Sequence, residues 1–189
     1  MRSQSAPRPR PFTYREYCLL PEDGKRHELI EGDFYVTPAP APRHQTVSRR
    51  LQFALMKQLE ETGLAQVFDA PIDLMLDDET VVQPDLVVVS KAREGIITNR
   101  GIEGVPDLVV EILSPSSGER DLQLKLHLYE RFGIPEYWVA DPDLRTVTQW
   151  RLNSVDGRYQ QSAVVGSTSS LTWPAFAEVS VALDAVFRG

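Results

Sequence analysis

Two carboxylates lie at or within apolar segments of the sequence, where a charged side chain is unfavourable. Asp85 opens the apolar run at residues 86–89, and Glu111 interrupts a second run at residues 108–113. Both runs are rich in β-branched residues and have the length of a strand that is buried on both faces. An unpaired carboxylate in such a strand costs several kcal/mol or takes up a proton. If the two strands are neighbours, the carboxylates lie about 5 Å apart and also repel each other.

A divalent cation would remove both penalties, because carboxylate oxygens are the ligands that Mg²⁺ and Mn²⁺ prefer. The same two residues also fit a purely structural interpretation. Glu111 then pairs with a basic side chain such as Lys125, and Asp85 caps the end of a strand. Their spacing alone leaves both interpretations open.

The length of 189 residues fits a single domain. We expect residues 1–11 to form a flexible tail and residues 12–189 to form the domain. Cys18 is the only cysteine, which excludes an internal disulfide framework and suits a reducing cytoplasm. No stretch approaches the roughly 20 apolar residues of a membrane span, and the first residues do not resemble a secretory signal. A cytoplasmic location without membrane association is therefore expected.

The net charge of −7 and the pI near 5.0 argue against strong non-specific binding of nucleic acid. A bound metal ion would neutralise part of this acidic excess. A local basic face could do the rest, and Arg43, Arg49, Arg50 and Lys57 are its candidates. The commoner fate of such charges is a solvated helix face.

The longest periodic segment predicts an amphipathic helix from about residue 43 to residue 61. Val47, Leu51, Leu55 and Leu59 recur every four positions, and His44 stands at the start of the helix. Before it, residues 27–31 and 33–36 read as a hairpin.

A second helix should carry Lys125 and Asp121, which are four residues apart and so neighbours on its surface. A plain surface salt bridge between them is an open alternative to any role in a site. The later segments predict a buried strand at residues 136–140 and antiparallel strands towards the C terminus. The predicted fold is α/β, with a mixed central β-sheet flanked by helices, an added N-terminal hairpin and C-terminal antiparallel strands.

Several segments together resemble the PD-(D/E)XK nuclease superfamily. More closely, the chain is similar to the bacterial "putative restriction endonuclease" family often labelled Uma-type. The resemblance implies a restriction-endonuclease-like core and covers nearly all of the chain after the tail. It is carried by Glu28-Leu-Ile-Glu-Gly32, Pro42-Arg-His44-Gln, Gln83-Pro-Asp85, Pro106-Asp-Leu-Val-Val-Glu111-Ile-Leu-Ser-Pro115, Lys125 and Glu136-Tyr-Trp-Val-Ala-Asp-Pro142.

The resemblance implies roles for matching positions. Asp85 takes the place of the central aspartate, and Glu111 takes that of the second acidic residue. The usual lysine two positions later is absent, since Leu113 stands there. The family resembled here supplies its lysine from the next helix, and Lys125 is the match.

Further residues are implied near the start of the chain. The superfamily often adds a glutamate from the early helix or its vicinity. Glu31 could fill that role, with Glu28 as the alternative and His44 beside it.

The expected chemistry is metal-dependent hydrolysis of phosphodiester bonds in DNA. Asp85, Glu111 and the backbone carbonyl of Ile112 would hold Mg²⁺ or Mn²⁺, and Lys125 would orient the attacking water. By analogy, we expect a homodimer. Two other readings stay open: a catalytically silent binding or assembly module of the same fold, and a hydrolase of some smaller phosphodiester.

Overall fold

The computed structural model describes residues 10–21, 23–114 and 119–188, with the side chains of residues 119–121 excepted. Most of the predicted tail, residues 1–11, lies outside this part, so its boundary stays a prediction. The helices are α1 (Tyr14–Tyr17), α2 (Pro42–Leu59), α3 (Glu119–Arg131) and α4 (Leu183–Phe187), with a 3-10 helix at Lys91–Ile96. None of the helices in the described ranges combines the length and the apolar character that crossing a bilayer requires.

The described strands number fourteen and follow one another along the whole domain. They are β1 (Arg26–Ile30), β2 (Asp33–Thr37), β3 (Ala65–Asp69), β4 (Leu74–Asp77), β5 (Thr80–Val82), β6 (Leu86–Ser90), β7 (Ile97–Thr98), β8 (Gly101–Glu103), β9 (Leu108–Ile112), β10 (Glu136–Asp141), β11 (Thr146–Leu152), β12 (Tyr159–Gly166), β13 (Ser170–Trp173) and β14 (Phe176–Ala182).

The central sheet has six strands in the order β12-β11-β10-β9-β6-β3. β9 and β10 run parallel, and α3 makes the connection between them. The other neighbouring pairs are antiparallel. β9 is buried along its whole length, as its continuous apolar run predicts. The predicted mixed central sheet is confirmed.

A second six-stranded sheet, in the order β2-β1-β5-β4-β8-β7, lies beside the first. The predicted hairpin of β1 and β2 is confirmed and forms one end of this sheet. Its remaining strands have only two to four residues each. Strands this short are below the length at which an alternating pattern becomes visible in a sequence.

Different elements pack on the two faces of the central sheet. On one face, Leu86 and Val88 pack in a core with α2, the β13–β14 hairpin and α4. On the other face, Val87 and Val89 pack in a core with α3 and residues of the second sheet. The alternation along β6 therefore produces three layers around a sheet that is apolar on both sides.

The four-residue stripe of α2 is confirmed, because Val47, Leu51, Leu55 and Leu59 are all buried in the first of these cores. The helix begins at Pro42, a residue that suits a first helical position because its missing N–H would have no partner there. This packing fixes the N-terminal turn of α2 against the ends of the central strands.

The segment from Gln83 to Asp85 carries the chain from one sheet to the other. It follows β5 in the second sheet and leads directly into β6 in the central sheet. Its backbone is held by the Glu28 carboxylate, whose Oε1 accepts the Gln83 N–H at 2.8 Å. The predicted carboxylate Asp85 therefore lies at the junction of the two sheets.

Candidate active site

A cavity of about 320 Å³ opens where the two sheets meet the first turn of α2. Its polar walls come from β1, α2, the start of β6, the end of β9, and α3. The lining residues are Arg26, Glu28, Tyr35, Val36, Thr37, Pro38, Pro40, His44, Asp85, Glu111, Ile112, Ser114 and Lys125. The three residues predicted from the superfamily motif, Asp85, Glu111 and Lys125, are all among them.

Asp85 is buried, and both of its oxygens accept hydrogen bonds. Oδ1 accepts one from Arg26 Nη1 at 3.1 Å. Oδ2 accepts one from His44 Nε2 at 2.9 Å and one from the Ile112 N–H at 2.8 Å. Burial by itself would raise the pKa of Asp85, but these three donors outweigh it and hold the pKa below its usual range. Asp85 is therefore an ionised, rigidly oriented carboxylate.

Lys125 lies between two glutamates in the interior of the site. Its Nζ donates to Glu111 Oε1 and to Glu28 Oε1, each at 2.9 Å. Burial disfavours the ammonium form, yet the two carboxylates outweigh burial and raise the pKa of Lys125. The lysine predicted to come from the helix after β9 thus reaches the cavity. The alternative partner Asp121 has a side chain outside the described residues, while Lys125 itself is only 6% exposed.

The surroundings of Glu111 compensate its negative charge only in part. Its Oε1 also accepts a hydrogen bond from Tyr129 Oη at 2.8 Å. Burial raises the pKa of Glu111 to about 7, since the attraction of Lys125 does not offset it. The nearby carboxylates Asp85 and Glu28 push in the same direction. Around the cavity three carboxylates face only two permanent cations, Arg26 and Lys125.

Of the two early glutamates considered, Glu28 lines the cavity, whereas Glu31 is not among its lining residues. Glu28 is 3% exposed and contacts Lys125. Glu31 lies beyond the end of β1 in a turn with a positive φ of 53°, and its half-exposed carboxylate pairs with Arg131 on α3. The period of two along β1 puts Arg26 and Glu28 on one face, which is the signal that separates Glu28 from Glu31.

Two basic residues complete the setting of Asp85. His44 lies in the first turn of α2, is 8% exposed and lines the cavity together with the early glutamate, as the resemblance implies. Its Nδ1 has no hydrogen-bond partner among the described residues. Arg26, which belongs to none of the sequence motifs, spans from Asp85 to the backbone carbonyl of Gln83.

The donor set fits a hard divalent cation with a partial shell of protein ligands. Among the described residues, no three His, Cys, Asp or Glu side chains converge closely enough to hold a metal ion by themselves. Mg²⁺ usually takes one or two protein carboxylates and keeps several waters, which Asp85 and Glu111 could satisfy. Ile112 can add its carbonyl, because the N–H and C=O of one strand residue face the same side and its N–H points at Asp85. The excess of three carboxylates over two permanent cations favours such an ion.

Leu113 occupies the position at which the simple motif has its lysine. It follows β9, and its N–H donates to the Ala140 carbonyl of β10 at 2.8 Å. The slot two residues after Glu111 therefore holds an apolar side chain, and the ammonium enters from α3 instead.

Comparison with known proteins identifies the family and the fold. The model of the Uma2 family, described as "Putative restriction endonuclease", matches residues 13–184. The crystal structure of a protein from Anabaena variabilis, described as a "putative nuclease belonging to DUF820", superposes with a TM-score of 0.77 at 23% sequence identity. The match covers 94% of this chain and 98% of that one, and it shows that the two share a restriction-endonuclease-like fold. No curated protein matches the chain at a significant level. With the family model spanning nearly all of the domain, the chain belongs to the Uma2 family of restriction endonuclease-like proteins.

Proposed function

We propose that this protein is an endonuclease that hydrolyses phosphodiester bonds of DNA with Mg²⁺ or Mn²⁺. The observation that carries this proposal is the buried Glu111, which shares one lysine with Glu28 beside the ionised Asp85. In a purely structural site, a neutral side chain would be more stable than a carboxylate that shares its only ammonium group with a second glutamate. Membership of the Uma2 family supports nuclease chemistry.

Asp85, Glu111 and the Ile112 carbonyl would hold the cation. When bound, the ion would polarise the scissile phosphate and lower the pKa of a coordinated water. Binding requires Glu111 to lose its proton, so the affinity should rise with pH up to about 7. Asp85 needs no such step because it is already ionised at neutral pH.

Lys125 contributes as a charged donor and not as a base. Its raised pKa keeps the ammonium protonated at neutral pH. A fixed positive charge at this position can orient an attacking water and stabilise the negative charge that develops on the phosphate. Glu28 and Tyr129 keep the lysine and Glu111 aligned through the hydrogen bonds described above.

His44 and Arg26 act on Asp85. Each donates to a different oxygen of this carboxylate, which restricts its rotation. We therefore assign both as positioning residues, which fix the direction in which Asp85 can present a lone pair to a cation.

Cleavage of plasmid and linear DNA with Mg²⁺, Mn²⁺ or EDTA tests the proposal. Asp85→Ala and Glu111→Gln should each abolish cleavage while leaving the circular dichroism spectrum unchanged. Glu136→Gln is the matched control, because Glu136 is also buried, on the neighbouring strand β10, but has its own partner in Arg151. Cleavage by Glu111→Gln at the wild-type rate would contradict the proposed site.

The two strands of a duplex are cut most simply by two copies of one site, and the homodimer is therefore part of this proposal. Sedimentation of the protein with and without duplex DNA measures the oligomeric state directly. A monomer in both conditions would contradict this part alone.

A second candidate is a catalytically silent module of the same fold. It is favoured by the complete engagement of the Asp85 oxygens with Arg26, His44 and the Ile112 amide. Titration calorimetry separates the two candidates, because a silent module has no need to bind Mn²⁺ at this site. Binding of Mn²⁺ by the wild type and its loss in Glu111→Gln would count against the silent module, and cleavage that depends on this Mn²⁺ would exclude it.

A further inference from the structure

A second groove, of about 490 Å³, runs between the C-terminal half of α2 and the segment formed by β14 and α4. None of the residues that line it is acidic. Its cations are Arg49, Arg50, Lys57 and Arg188. The whole of α2 carries no Asp or Glu in its 18 residues, although the chain has 27 acidic and 20 basic residues. We refer to this lining as the basic groove.

The cations of the basic groove form no ion pairs with the carboxylates that the structure describes. Six of the described lysine and arginine side chains have no carboxylate within 4.0 Å, namely Arg15, Arg49, Arg50, Lys57, Arg145 and Arg188. Four of these six line the basic groove. Arg50 is held by the carbonyls of Val186 and Arg188, which fix its position without cancelling its charge. The groove is therefore suited to an anionic ligand.

An exposed aromatic residue lies between two of these cations. Arg49, Phe53 and Lys57 are spaced by four residues and form one exposed stripe along α2. Phe53 is 69% exposed. An aromatic face flanked by basic side chains is the arrangement by which proteins stack an unpaired base and contact the adjoining phosphates. A second copy docking here about a twofold axis would bring like charges together, which disfavours a self-association surface.

A depression of about 590 Å³ shares lining residues with both the basic groove and the candidate active site. Asp85, His44 and Arg49 line it, together with one further carboxylate, that of Asp69. Asp85 and His44 also line the active-site cavity, and Arg49 also lines the basic groove. Along the helix axis, His44 and Phe53 are separated by about 14 Å. This span corresponds to about four nucleotides at the roughly 3.4 Å rise of a stacked strand and to fewer nucleotides of an extended, unpaired strand.

We propose that the basic groove binds an unpaired segment of the DNA strand whose phosphodiester enters the active-site cavity. A base stacks on Phe53, and the adjoining phosphates contact Arg49 and Lys57. The inference rests on the proposed nuclease function and adds a class of substrate to it: DNA with a single-stranded flank. Duplex phosphates could contact the arginines but would not use the exposed ring, because their bases are already stacked.

Fluorescence anisotropy tests whether the basic groove prefers unpaired DNA. It measures the binding of a labelled oligo-dT of about 20 nucleotides and of a duplex of the same length, both in EDTA. Phe53→Ala should weaken binding of oligo-dT by about 10-fold and leave duplex binding unchanged. Arg49→Glu combined with Lys57→Glu should weaken binding of both and reduce the slope of log affinity against log salt by about 2. The controls are Leu144→Ala, another exposed apolar side chain, and Arg15→Glu, another unpaired arginine.

Equal affinity of wild type and Phe53→Ala for oligo-dT would overturn the inference. So would a change in sedimentation of the groove variants with unchanged DNA affinity, which would identify a surface between copies. Hydrolysis of bis(p-nitrophenyl) phosphate reports on the active site separately, and the groove variants should retain it. If the wild type binds oligo-dT through Phe53 but hydrolyses neither ester nor DNA, the proposed function fails and the binding site stands.

Discussion

At the scale of single residues, the number of charges around Glu111 determines the properties of the site. Glu28, Asp85 and Glu111 share a small buried volume with Arg26 and Lys125. A proton or a divalent cation can remove the remaining negative charge. The two compete for Glu111, whose carboxyl group has its pKa raised to about 7. The protonation state of one residue should therefore control both stability and metal binding.

Without divalent cations, the wild-type protein should lose stability as the pH rises from 5 to 8. The unfolded state releases the Glu111 proton near its ordinary pKa of 4.5, while the folded state retains it up to about 7. Because the folded state binds more protons in this window, the free energy of unfolding falls with rising pH, by up to about 3 kcal/mol. Urea denaturation at several pH values measures this. The depressed pKa of Asp85 acts in the opposite sense, but below this window.

Glu111→Gln should remove this pH dependence and be more stable than the wild type at pH 8. A glutamine still offers an oxygen to Lys125 and Tyr129 but has no charge to desolvate. Parallel stability curves for the two proteins between pH 5 and pH 8 would show that Glu111 does not titrate in this range. Glu136→Gln serves again as the buried control.

Lys125→Met should separate metal binding from catalysis. Removing the ammonium leaves Glu28 and Glu111 without their shared partner, which should destabilise the protein by about 3–5 kcal/mol in EDTA at pH 8. Mn²⁺ should restore part of this stability and bind at least as tightly as to the wild type, since more negative charge is available. Cleavage should nevertheless be lost. Thermal unfolding and calorimetry with Mn²⁺ measure both effects, and full cleavage by this variant would exclude Lys125 from the chemistry.

At the scale of elements, α2 has a buried apolar face, which packs in the core, and an exposed basic face, which lines the basic groove. Leu55→Ala should destabilise the protein by about 2–5 kcal/mol, because Leu55 is 0% exposed and the truncation leaves a cavity. Phe53→Ala should change the free energy of unfolding by less than about 0.5 kcal/mol, since its ring is mostly exposed. Chemical denaturation of the two variants measures the contrast. A large loss of stability in Phe53→Ala would mean that the ring serves the fold.

The elements that the sequence predicts well are those with a strong periodic pattern. The stripe of α2 and the apolar runs that became β6 and β9 are each long enough to identify the element and its buried face. Asp85 and Glu111 could be found because a carboxylate within such a run conflicts with the pattern. Lys125 could be named as a partner of Glu111 because a buried carboxylate needs a cation, and the structure contains this ion pair. Its role in a site rested on the family resemblance, since its own helix gives no reason for a lysine to be buried.

The parts that escaped prediction depend on contacts between distant segments. Arg26 reaches the site because β1 joins the second sheet next to β5, a pairing with no local signature. Glu31 was the first candidate for the early glutamate, but the chain turns at Glu31 and Gly32 with positive φ values at both residues. Glu31 therefore lies outside the strand, and even a longer strand would have carried it on the face opposite to Glu28, because the two residues are three positions apart.

At the scale of the whole molecule, the site joins two sheets that have few other charged links. Glu28 belongs to β1 of the second sheet, whereas Glu111 belongs to β9 of the central sheet. Lys125 bonds both, and Gln83 donates its N–H to Glu28 just before the chain enters β6. A cation held near these carboxylates would therefore act on the association of the sheets as well as on chemistry.

Mn²⁺ should slow amide hydrogen exchange in both sheets together. At a concentration of about 100 times its dissociation constant, a ligand that binds only the folded state adds about 2.7 kcal/mol to the unfolding free energy, or about 100-fold protection. The effect should include Arg26–Ile30 of β1 as well as Leu108–Ile112 of β9. Glu111→Gln should show no such protection. If Mn²⁺ protects β9 while exchange in β1 stays unchanged, the two sheets open independently. The contacts of Lys125 with Glu28 and Glu111 would then not couple the two sheets.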